Sequence, residues 1–246
     1  MSVPRNGGSD YAEYLRLAPL LDLQHPRYPA EDAWTHGDEH LFIVVHQSCE
    51  LMLRQVLIDL RQAARVMSSP DSGRDLEMCV GNLRRSGEVV GLVTGLTSGL
   101  YSMRVDSFAS FRPLLGNASG AQSAQFRELR LVLGLSGERN GLLFEAFEAL
   151  LADTGCQIGD VFTGLSPDHV VRRVADAMLT LSESVWQWQN QHLRLAAWML
   201  GDAGGTAGSS GAAYLERRTA APFGTLWRAR SSVHDQNAST VRAEGA

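Results

Sequence analysis

His46, in the run LFIVVHQSCELMLRQ, and His192, in VWQWQNQHLRLAAWML, are titratable side chains set into two separate apolar helical stripes. A buried imidazole is costly unless a metal or a hydrogen-bond partner satisfies it, so two of them ask for a shared partner. A planar cofactor held between helices answers that demand. The glycine-rich GGTAGSSG shortly after His192 follows a helix rather than a strand and contains no lysine. It reads as a loop that closes over a ligand, or as a flexible connector, rather than as a phosphate cradle.

Arg112 precedes a proline and a Gly-Asn-Ala-Ser-Gly turn. That context places it at a helix end, where a guanidinium can clamp a carboxylate. All 22 basic side chains are arginine, so Schiff-base and P-loop lysine chemistry are excluded. His36 and His40 in HGDEH have the i, i+4 spacing of a metal pair, but the HExxH order and a second cluster are missing. His46 and Glu50 share that spacing, yet no Glu-x-x-His occurs anywhere in the chain, which removes the paired-carboxylate di-iron bundle. Cys49, Cys79 and Cys156 are widely spaced in apolar contexts and read as buried free thiols of a reducing cytoplasm.

These side chains need long elements to position them. The chain has 246 residues, 44% of them hydrophobic, enough for one substantial core, with no stretch resembling an inter-domain linker. A single domain over 1–246 is expected, with 1–9 and 234–246 as flexible tails. The net charge is −5 and the arginines are dispersed, which argues against a nucleic-acid surface. No signal-peptide core and no run of 18 apolar residues is present, so a cytoplasmic protein that does not span a membrane is expected.

Apolar positions recur at three- and four-residue steps from Asp38 to Met67, from Asp75 to Leu100 and from Pro167 to Leu200. In the last segment Val174, Met178, Leu181, Val185, Trp188, His192, Leu195 and Met199 form one stripe, closed by Gly201. Gly87, Gly91, Gly95 and Gly99 in the second weaken helix propensity but allow close helix approach. Shorter helices fit 10–22, 123–134 and 141–153, and no segment alternates like a strand. The architecture predicted is all-α, a bundle of long helices.

From Tyr11 to about Val233 the chain resembles the tryptophan 2,3-dioxygenase superfamily of histidine-ligated haem enzymes. The resemblance runs, in order, through YAEYLRLAPLLDLQHP, LFIVVHQSCEL, FRPLLGNASGAQSAQFREL, WQNQH and GGTAGSSGAAYL. It implies haem b, ferrous when active, with His192 as the iron ligand and Trp188, Ser119 and Gly120 beside the cofactor. It implies His46 as the catalytic histidine that meets the indole N–H, Phe42 on the indole ring, and Arg112 and Thr206 on the amino-acid end. Tyr11 and Tyr14 match a tyrosine pair that reaches a neighbouring subunit's site, and the expected assembly is a homotetramer.

The implied activity is insertion of O2-derived oxygen into indole C2/C3 of L-tryptophan or a substituted tryptophan. Ala121 stands where the family usually has an aromatic, Met52 where ELW is common, and Gln189 and Gln191 where arginines are usual. Lost aromatic volume enlarges a pocket and suits a bulkier substrate. That favours a natural-product branch resembling the monooxygenase that converts β-methyltryptophan to a hydroxylated oxindole. A haem sensor without turnover is the reading from a different class.

Overall fold

The computed structural model describes residues 10–69, 75–137, 140–201, 203–204 and 211–244, with side chains as far as residue 234. Ten α-helices are found among them and no strand. Two short turns, α1 (Tyr11–Tyr14) and α2 (Leu17–Leu20), precede α3 (Ala33–Ser68), α4 (Leu76–Ser98), α5 (Val105–Phe111), α6 (Ala124–Val132) and α7 (Leu142–Thr154). The long α8 (Val170–Leu200) is followed by α9 (Ala212–Glu216) and α10 (Gly224–Glu244). The segment expected as one helix over 10–22 is broken where Arg16 adopts a left-handed φ of 55°. The backbone beyond residue 234, expected as a flexible tail, continues α10 to Glu244.

Local chemistry sets the helix ends. Asp32 caps α3 by accepting the Thr35 backbone N–H at 3.1 Å, and Asp75 caps α4 through Met78 N–H at 2.9 Å. Gly155 and Gly201 stop α7 and α8 at φ of 67° and 52°. α4 lies between α3 and α8, while α5, α6 and α7 pack on α3. Of the four glycines read as allowing close approach, only Gly87 meets α8, where a Cβ would stand 3.5 Å from the Leu181 Cα. Gly91, Gly95 and Gly99 face open space, so close approach accounts for one of the four.

The core is divided. A larger cluster includes Leu53, Val56, Leu60, Leu83, Val90, Phe147, Met178, Val185 and Trp188, and a smaller one holds Val45, Leu100, Met103, Phe111, Leu195 and Met199. On α3 the division falls between Val45 and Leu53, and on α8 between Trp188 and Leu195. His46 and His192 lie in those two intervals, and both are exposed although their stripe neighbours are buried. The expectation that both imidazoles are buried is therefore corrected: each opens into a gap in the core.

By length and composition α3 could cross a membrane, with a mean hydropathy of 1.4 over its most apolar window, of which 28% is buried within the chain. Four helices of the bundle pack on it, and most of that window is left uncovered by this chain.

Candidate functional site

Phe42 and His46 stand one turn apart on α3, with ring centroids 4.0 Å apart. The Phe42 carbonyl accepts a 2.7 Å hydrogen bond from His46 Nδ1, so Nδ1 carries the proton and Nε2 is left as an acceptor. α5 brings Phe108 and Phe111 to Phe42 at 6.1 and 5.6 Å, an aromatic wall beside the histidine. Neither aromatic was singled out from the sequence, although both lie within four residues of Arg112.

His192 enters from α8. Neither of its ring nitrogens is hydrogen-bonded among the described residues. Surrounding protein pulls both imidazoles below their ordinary pKa, since each is open to the cleft on one side and crowded on the others. The charge of His46 lowers His192 further. Both are favoured as neutral imidazoles, the form that ligates a metal.

The cleft at His46 has a volume of about 680 Å3 and is lined in part by Leu20, Leu23, Glu50, Arg54 and Gln125. Glu50 and Arg54 follow His46 at successive four-residue steps, a spacing that could have marked them. Gln125 Nε2 donates to Glu50 Oε2 and to the Glu50 carbonyl, both at 2.8 Å, and so joins α6 to the site. The N-terminal segment is pinned there too: Gln24 Nε2 donates to Gln47 Oε1 at 2.6 Å, and Gln47 Nε2 to the Leu23 carbonyl at 3.0 Å.

Arg112 is half-buried at the end of α5, as its context indicated, and donates to the Gly204 carbonyl at the edge of the glycine-rich stretch. Thr206 lies outside the described residues. Ser119 and Gly120 form a capped 3-10 turn just before α6, with open space beyond Gly120. Trp188 is buried edge-on to Phe126 at 5.5 Å, and its indole N–H has no acceptor among the described residues. Tyr11 and Tyr14 are 72% and 78% exposed and do not meet His46 within this chain.

His36 and Glu39 of HGDEH make structural hydrogen bonds. His36 Nδ1 donates to the Tyr28 carbonyl at 2.7 Å, and buried Glu39 accepts the Arg27 and Tyr28 N–H groups at 2.8 and 2.7 Å. No metal-holding His/Cys/Asp/Glu group occurs among the described residues. Of the cysteines, Cys79 is buried and the other two partly so; burial pushes Cys79 up to about 12 and Cys49 to about 11, which leaves them inert thiols.

Two histidines where the helical core divides, with an aromatic wall beside His46 and an arginine at the end of α5, define an all-helical protein with a cleft at the division. A family model described as tryptophan 2,3-dioxygenase matches residues 2–158. Similar proteins named tryptophan 2,3-dioxygenase come from Herpetosiphon aurantiacus, 31% identical over 91% of this chain and 98% of the relative, and from Nocardioides, 30% identical over 91% and 94%. A third, from Arthrobacter, is 30% identical over 84% and 85%. The chain belongs to the tryptophan 2,3-dioxygenase family.

Proposed function

We propose that this chain is a haem-dependent oxygenase that inserts O2-derived oxygen into indole C2/C3 of L-tryptophan or a substituted tryptophan, within a single helical domain of the cytoplasm. The carrying observation is the division of the core at His46 and His192. The residues fit a haem: an imidazole free to ligate, open space beyond Gly120, and a buried Trp188 N–H that a bound group's polar edge would satisfy. Haem b, when bound, supplies the iron that takes up and activates O2.

His192 would hold the iron. His46 Nε2 accepts the indole N–H and fixes which edge of the ring faces the oxygen. Phe42, backed by Phe108 and Phe111, packs on the indole and keeps water out. Arg112 exchanges its bond to the Gly204 carbonyl for the substrate carboxylate, joined by Thr206 from the glycine-rich stretch. Exposed Tyr11 and Tyr14, together with the largely unburied apolar window of α3, support a homotetramer in which a neighbour completes the site. A fully active monomer in light scattering would overturn that assembly.

Turnover of the ferrous holoprotein under 18O2 with tryptophan and β-methyltryptophan tests the reaction. Two labelled atoms in a formylkynurenine establish the dioxygenase. One labelled atom, with the methylated substrate alone, makes it the monooxygenase instead, a reading that Ala121 favours. Haem uptake with no product from either substrate sinks both and leaves the sensor.

A further inference from the structure

A second cavity, of about 460 Å3, lies at the other end of α6, where no proposed haem or substrate residue reaches. Its walls come from the C-terminal end of α6, the N-termini of α7 and α10, and the segment 217–223. Arg130, Arg217 and Arg218 line it with Ser136, Asn140 and Thr225, and none of the described lining residues is acidic. Gly141 shapes the wall: a Cβ there would collide with the backbone of Gly134 and Val132. Gly141 also precedes α7 without any side-chain cap.

Arg130 is the unexplained group. It is only 9% exposed, its Nη atoms donate to the uncharged carbonyls of Leu135 and Arg218, and its buried Nε has no partner. No carboxylate among the described residues offsets its charge. Arg218 adds a second like charge, stacked over Tyr214 at 5.2 Å. A buried guanidinium without a counter-ion is costly, and the N-termini of two long helices make the cavity still more positive.

We infer that this cavity is a binding site for a small oxyanion, a phosphate or carboxylate group held by Arg130 and Arg218 at the N-termini of α7 and α10. The site is independent of the haem reading and stands if that reading fails. The full-length protein is titrated calorimetrically with inorganic phosphate and, separately, with malonate, at an ionic strength held constant with chloride. Saturable binding of at least one is expected, weakened about tenfold or more in Arg218→Gln, an exposed position whose loss spares the fold. Phosphate alone identifies a phosphate ester as the ligand class, malonate alone a carboxylate, and both the shared chemistry. No saturable binding, or equal binding in wild type, Arg218→Gln and Arg130→Met, overturns the inference. So does binding that appears only in Glu138→Gln, because the chain would then supply its own anion from the segment between Gly137 and Asn140.

Discussion

His46 and His192 differ in what their ring nitrogens are left to do. His46 spends Nδ1 on the Phe42 carbonyl, which fixes its tautomer and its position against the aromatic wall. His192 has no such tie. His192→Ala is therefore expected to abolish stable haem occupancy in a pyridine haemochrome assay, while His46→Ala keeps the haem and slows turnover. The reverse pattern would exchange their roles. Arg112→Leu removes the guanidinium that follows the phenylalanines of α5, and KM should rise by a factor on the order of 30–100, equivalent to about 2–3 kcal/mol of a lost charge-assisted bond. An unchanged KM would release Arg112 from the substrate. The placement of both histidines on long helices and of Arg112 at a helix end was legible from residue type and context. Their openness was not, because periodicity reports which face a residue occupies and cannot report that the neighbouring helix is missing opposite it.

At the level of elements, the long helices were legible because their stripes are long and regular. α10 escaped notice because Leu226, Trp227, Ala229 and Val233 are diluted by polar residues. It is tied down by long-range bonds instead: Ser182 Oγ donates to the Pro222 carbonyl at 2.8 Å and accepts the Trp227 indole N–H at 2.9 Å. α5 is only seven residues long, too short for a period to show, and yet it delivers Phe108, Phe111 and Arg112. The α3–α4 pairing has a polar lock of the same invisible kind. Buried Asp59 takes two hydrogen bonds from Arg85, at 2.8 and 2.6 Å, and a third from Gln55 at 3.0 Å. Asp59→Ala should destabilise the protein by about 0.5–1.5 kcal/mol in denaturant titration, because the exposed Arg85 and Gln55 turn to water while the buried anchor between α3 and α4 is lost. An unchanged stability would mean that these bonds do not tie α3 to α4.

Across the whole molecule, three helices run from one apolar cluster into the other: α3 and α8, which carry the histidines, and α4, which contributes Val93 to one and Leu96 to the other. Val45, Leu100, Met103, Phe111, Leu195 and Met199 are too few to order a region by themselves, so their packing depends on whatever fills the space between the clusters. Hydrogen exchange should show this directly. In apoprotein the amides of α5 and of the C-terminal turns of α8 should exchange well before those around Leu57 and Val174, and haem should bring the two sets together; equal protection without haem would show the clusters already joined. On the proposed haem reading, the division makes cooperativity a property of the loaded protein. A chain still without haem would be one stable lobe with a looser second one, and haem supply would then decide how long a newly made molecule stays open to proteolysis.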